Sequence, residues 1–293
     1  MNLRTWSGPY LNNILILFID GTQVLAAVGD RVLIYDAHTG EIIDNKRGHK
    51  DTVYCLAYSR DGQRWASGGA DHNVIVWSAE GVGLLKYSHS NKIQCLSFNP
   101  VLQSLASCTD NDFGLWQTEE KNVNKYPTKV KCLDCDWSPD GQILAIGLYN
   151  GKILLRDKNG AELSFIQKCE GIPVWCLRFC PQKFDTSDNL LIAGSWDQKL
   201  SLYQISNGKN VKPVGTDKEL GYDPCSICFY PTGEYMLMAG SDKTVTLWNK
   251  EGIKLGKIGE MKDWIWGTAV NPGTKTIFAG ANNGALTAFN IEF

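Results

Sequence analysis

The 293-residue sequence has no long apolar run: its longest, Ile14 to Ile19, is far short of the roughly 20 residues that a membrane-spanning helix needs. No cationic segment with a small-residue cleavage site precedes it. Charge of neither sign is in excess, with Lys+Arg 29 against Asp+Glu 31 and a net charge of -2. The bulk balance therefore gives no pull toward nucleic acid or an anionic membrane surface. There is no Asn-x-Ser/Thr acceptor, and the ten cysteines, about 3% of the chain, lie well below the density of a disulfide scaffold. The expected reading is a soluble protein of a reducing, cytosolic compartment. Histidine is scarce, limited to His38, His49, His72 and His89. No GxxxxGKS/T phosphate loop, GxSxG elbow or HExxH pair occurs, so neither an enzymatic centre nor a cofactor is expected.

What is present is an ordinary globular composition, 43% apolar, 20% charged and 11% aromatic, and a repeat. In Gly48 to Trp77 a Gly-His pair leads into an alternating run, a turn, a second run, a tight turn and a third run that closes on an aromatic side chain. Equivalent closing positions fall at Tyr35, Trp77, Trp116, Arg156, Tyr203, Trp248 and Phe289, spaced by 42, 39, 40, 47, 45 and 41 residues. Six residues before each stand Gly29, Asp71, Asp110, Asn150, Asp197, Asp242 and Asn283. Asp and Asn hydrogen-bond their own backbone and tolerate left-handed geometry, as a tight hairpin turn requires. An earlier turn recurs as Asp20-Gly21, Asp61-Gly62, Asp140-Gly141, Thr232-Gly233 and Pro272-Gly273. The intervening runs, such as Val74 to Trp77 and Val245 to Trp248, are β-branched and aromatic, hence strands.

Four short strands in about 42 residues, seven times over, predict an all-β, seven-bladed β-propeller filling residues 1–293 as one domain. Only four residues follow Phe289, so Leu3 to Trp6 is expected to supply the outer strand of blade seven and close the ring, removing an open sheet edge. The longest loop is expected at Pro181 to Asn189 in blade five.

The pattern resembles the WD-repeat family, although no unit ends in a literal Trp-Asp pair; the one such dipeptide, Trp196-Asp197, sits at a turn. The resemblance implies a buried network of His, Ser, turn Asp and closing Trp. Two units match it: His49, Ser67, Asp71 and Trp77, then His89, Ser107, Asp110 and Trp116. This set is read as blade architecture rather than a catalytic triad.

Two Cys-x-x-Cys pairs, Cys132/Cys135 and Cys225/Cys228, have the spacing of zinc ligands. Both fall inside first strands, where side chains alternate faces, and a zinc knuckle needs a turn. Cys55, Cys95 and Cys176 recur three residues before a first-strand end, so cysteine reads as small buried filler and no metal is expected.

The resemblance also implies which positions project to the rim where partners bind: those four and six residues before the first-strand end, and the one before the turn residue. Large aromatics are unevenly placed there, namely Tyr54, Tyr149, Trp175, Trp196, Trp264 and Trp266. Tyr149, Trp175 and Trp196 are expected to cluster across blades four and five, with Trp264 and Trp266 on blade seven. Such rigid aromatics commonly anchor interfaces, the alternative being channel lining or packing between blades.

Several stretches outside the shared framework narrow the resemblance: GHKDTVYCLAYSRDG with SGGADHNVIVW, IQCLSFNP with LASC and DFGLW, and DPCSICFYPTGEYMLMAGSDKTVTLW. They resemble the amino-terminal propellers of the intraflagellar transport protein 122 family. That resemblance implies a non-enzymatic scaffold at the amino-terminal end of a longer protein. It would act in transport complex A at the ciliary axoneme, the basal body and in the cytoplasm, in retrograde transport, cargo entry and cilium assembly. The implied partners are other complex A subunits and membrane-protein cargo or its adaptors. A generic adaptor, such as a vesicle-coat subunit or a ubiquitin-ligase substrate receptor, stays open. Acidic rim candidates such as Asp223 and Asp263 are too few for a basic sorting peptide.

Overall fold

The computed structural model describes residues 4–7, 16–19, 21–118, 122–182, 188–271, 273–274 and 276–290. These form seven antiparallel sheets and, among the described residues, no helix. The sheets follow one another along the chain: 16–47, 53–88, 95–127, 132–167, 174–219, 224–260 and 265–290. Each is a blade whose first strand contacts the first strands of its two neighbours, the seventh touching the first, so the ring is closed. The first strands line the axis and the later ones step outward.

Blade seven is completed from the other end of the chain. Arg4–Ser7 pairs antiparallel with Ala285–Asn290, Arg4 opposite Ala288 and Ser7 opposite Ala285. Blade five has a fifth piece of strand, Lys218–Glu219, beside Lys199–Ser206. There the Lys199 and Glu219 side chains pair at 3.0 Å. Residues 183–187 of the long loop expected in blade five lie outside the described residues, as do Leu3, Asp20 and Pro272.

The core is not one body but seven, each an apolar cluster between two adjacent blades. A blade therefore buries both faces. This explains why middle strands such as Ile143–Leu148 and Asn189–Ser195 are buried throughout, while outer strands such as Ile42–Arg47 are mostly exposed.

The turn between second and third strands is built as its Asp and Asn residues imply, with one displacement. Asp71, Asn150, Asp197, Asp242 and Asn283 each accept the backbone N–H two residues on. The left-handed residue is the one that follows: His72, Gly151, Gln198, Lys243 and Gly284 all have positive φ.

In blade two the four framework side chains meet. The Trp77 indole N–H donates to Ser67 Oγ at 2.9 Å, Ser67 lies 2.8 Å from His49 Nε2, and His49 Nδ1 lies 2.9 Å from Asp71 Oδ1. One proton order serves all four groups: indole to hydroxyl, hydroxyl to imidazole, imidazole to carboxylate. Burial raises the Asp71 carboxyl, but hydrogen bonds led by that from His49 outweigh it and bring it to about 2.

Blade three departs from this arrangement. The partner of His89 is Asp112, at 3.4 Å, not Asp110. Thr109 closes a tighter turn, its N–H donating to the Asp112 carbonyl and its Oγ1 lying 2.6 Å from Asp112 Oδ1. Asp110 is thereby left at the rim, accepting from Gln94 Nε2 and pairing with Lys131. Ser107 lies 2.7 Å from His89 Nε2, and so does the Tyr87 hydroxyl. Gly114 makes room for that hydroxyl, since a Cβ there would meet Tyr87 Oη at 2.6 Å. Among the described residues the indole N–H of buried Trp116 has no partner. Burial lowers His89 to about 4, so it is neutral at physiological pH.

Candidate partner-binding site

The rim is assembled by a device that alternation alone does not reveal. In five blades the first strand carries a β-bulge near its start, between Val53 and Cys55, Cys132 and Asp134, Val174 and Cys176, Pro224 and Ser226, and Ile265 and Gly267. The extra residues are Tyr54, Leu133, Trp175, Cys225 and Trp266, and a bulge re-aims its side chain out of the ladder. In the same five blades the residue before the turn donates its N–H to the carbonyl two residues ahead of the bulged one. Ala70 donates to Thr52, Tyr149 to Lys131, Trp196 to Pro173, Ser241 to Asp223 and Asn282 to Trp264. Three rim positions per blade are thus tied into one unit.

In blades five and seven these units hold four tryptophans. Trp175 and Trp196 stack with ring centres 4.4 Å apart and planes 11° from parallel. Trp266 leans on Trp175 at 5.7 Å and on Trp264 at 5.8 Å. The chain of rings spans blade six, where the bulged residue is the small Cys225. All four are half-buried. The Trp266 indole N–H donates to Asn282 Oδ1 at 3.3 Å, and the Asn282 amide donates to Asp263. Among the described residues the indole N–H of Trp196 has no partner.

Tyr149 does not join the cluster expected of it. Its ring is 52% exposed on blade four and touches no other ring of the group among the described residues. Residue 133, the bulged position beside it, is a leucine, so the aromatic chain stops at Trp196. Instead the two groups expected on separate blades, Trp175 with Trp196 and Trp264 with Trp266, form one surface. Tyr54 is half-buried on blade two and lines the channel.

Below this surface runs an axial channel of about 760 Å³, lined among others by Tyr54, Gln94, Leu133, Trp175, Arg178 and Trp266. Its wall is polar where blades four and five meet. Asp134 and Asp136, alternate residues of one strand, accept the backbone N–H groups of Leu177 and Phe179 on the next, at 3.0 and 2.8 Å. Arg178 pairs with Asp134 at 2.6 Å. Desolvation pushes Asp136 up to about 7, against the opposing pull of Arg178. Because the folded carboxyl titrates above its unfolded value, its stabilisation is complete below about pH 4 and is lost as pH rises through about 7. Asp136→Asn keeps an acceptor for the Phe179 N–H and sets an amide donor against Ser97 Oγ, whose hydroxyl donates to Asp136 at 3.3 Å. It should therefore flatten the fall in melting temperature between pH 5 and 8.5, read by circular dichroism. Parallel profiles for the two proteins would contradict this.

Fold and rim together define the class: a seven-bladed propeller of WD-repeat type, closed by its amino-terminal strand, with a framework network in one blade and an aromatic patch at one channel mouth. Comparison with known proteins identifies the branch. Residues 15–290 match the family described as IFT122 first beta-propeller, and the chain belongs to that family. Two of its relatives, intraflagellar transport protein 122 homologs of Xenopus tropicalis and Mus musculus, are 46% and 44% identical over 94% of this chain. The chain spans 23% of the length of each. A periodic tryptophan protein 2 from Arabidopsis thaliana is 26% identical over 80% of this chain and 26% of its own. Among solved structures, the Cps50 (Swd1) propeller domain of Myceliophteria thermophila superposes with TM-score 0.83, covering 99% of this chain and all of that one. At 15% identity this likeness speaks for the fold alone.

Proposed function

We propose that this chain is a non-enzymatic docking domain of intraflagellar transport complex A, working in the cilium in retrograde transport and in the entry of membrane-protein cargo. The family membership supports the complex. The observation that carries the docking role is the aromatic surface of Trp175, Trp196, Trp264 and Trp266 across blades five and seven. A stiff ring presents these side chains with little ordering left to do on binding, so a few anchors supply most of the affinity.

The proposal is tested by affinity capture from ciliated-cell extract with the 293-residue chain, read by mass spectrometry. Recovery of complex A subunits or ciliary cargo is the expected result. Recovery of vesicle-coat or ubiquitin-ligase components in their place would leave the fold intact and replace this function with a generic adaptor's.

A further inference from the structure

The cluster between blades three and four contains an arrangement found at no other blade interface among the described residues. Cys95 on the first strand of blade three, Cys108 opposite it on the second strand, and Cys135 on the first strand of blade four point their Sγ atoms at one another. All three sulfurs lie within 4.8 Å of each other. The thiols are free and buried, at 5%, 0% and 2% exposure. Two features bring them together. Cys95 and Cys108 are cross-strand partners, so their side chains stand on the same face of the sheet. The bulge at Leu133 shifts the alternation of the next blade's first strand, so Cys135 turns toward that face while Asp134 and Asp136 turn to the first strand of blade five.

We propose that Cys95, Cys108 and Cys135 form a three-thiolate site for a soft monovalent d10 cation, Cu(I). Thiolates are the ligands that soft cations select, and sulfurs bound at about 2.3 Å around one centre sit roughly 4 Å apart, compatible with the spacing here. Among the described residues no histidine or carboxylate joins the three sulfurs, and Ala106, Phe113, Leu115, Trp137, Leu144 and Ile146 share their apolar cluster. Zinc almost always takes four ligands. The further thiol of this cluster, Cys132, lies beside Cys108 but outside the group of three, with its Sγ 3.5 Å from Thr128 Oγ1 and 3.8 Å from the Val130 carbonyl. Three donors in an apolar shell therefore favour an ion content with low coordination. Binding displaces thiol protons to solvent, and the bound ion staples blade three to blade four. The site is independent of the rim, and none of its three sulfurs belongs to the tryptophan surface.

The test uses the reduced 293-residue chain, incubated anaerobically with Cu(I) buffered by excess glutathione, desalted, and assayed for copper and for ultraviolet thiolate-to-copper absorption. The expected result is about one copper per chain with that absorption, and a higher melting temperature than the metal-free protein. Cys108→Ser and Cys135→Ala should each lose at least about five-sixths of the copper. Cys55→Ala should retain it, because Cys55 occupies the corresponding place in blade two without a partner thiol. Circular dichroism confirms that each variant is folded. A folded wild-type chain that retains no copper overturns the proposal, as does equal loss from Cys55→Ala. Retention of zinc in preference to copper, measured in a parallel arm, overturns the three-coordinate assignment.

Discussion

Alanine at both Trp175 and Trp196 is expected to weaken capture of the chain's partner by about 100-fold or more while the ring stays folded. The two indoles stack at 4.4 Å and stand half-buried, Trp175 lining the channel. An anchoring tryptophan contributes about 2 kcal/mol or more to an interface, and two adjacent anchors are seldom additive. The loss for the pair is accordingly set below the product of two independent sites. The cost to stability is smaller. A stacked aromatic pair is worth about 0.5–1.5 kcal/mol beyond its burial, and the backbone beneath is held by Trp196 N–H donating to Pro173. For a chain of this size the pair's contribution corresponds to a fall of a few degrees in melting temperature. Tyr149→Ala, outside the ring chain, should change capture much less. If the double variant instead melts more than about 10 °C lower and its folded fraction binds normally, the tryptophans are packing rather than anchors.

Much of this fold can be read from spacing because the turns are chemically explicit. Asp71 followed six residues later by Trp77 marks a hairpin and a strand end, and the same interval recurs in every blade. The ring closure follows from a count of what is left at the two ends. The rim is legible only in part. Position relative to the first-strand end picks out Trp175 and Trp266, but their meeting across blade six depends on bulges that project them and on a cysteine between them too small to intervene. Alternation, which argues the cysteine pairs apart, fails at the same bulges: Cys132 and Cys135 are both buried in one cluster. The three neighbouring thiols come from three strands of two blades, a proximity that no linear spacing encodes. Asp110 illustrates the opposite failure, in which the spacing is correct and the geometry is not. The turn is tightened by Thr109, so the residue at the expected interval points to the rim and Asp112 takes its place.

Lys168→Met is expected to be the most damaging single change outside the apolar clusters, and no motif marks this residue. Blade five lacks the framework histidine. Its turn carboxylate, Asp197, is met instead by Lys168, whose Nζ lies 3.1 and 3.3 Å from the two carboxylate oxygens. The Lys168 side chain is 0% exposed and that of Asp197 13%. Removing one member of an enclosed ion pair leaves the other desolvated and unpaired, which costs about 3–5 kcal/mol. That corresponds to a loss of roughly 5–8 °C in melting temperature for a chain of this length. Removing both charges is a different perturbation. Asn at position 197 still accepts the Lys199 N–H that shapes the turn, and Met fills the volume of the lysine stem. Lys168→Met with Asp197→Asn should therefore recover stability to within about 1 kcal/mol of the wild-type chain. Urea unfolding of the wild type, both single variants and the double variant closes the cycle. A double variant as unstable as Lys168→Met would show that the lysine acts through its packing. A Lys168→Met variant as stable as wild type would show that the pair contributes nothing to the blade.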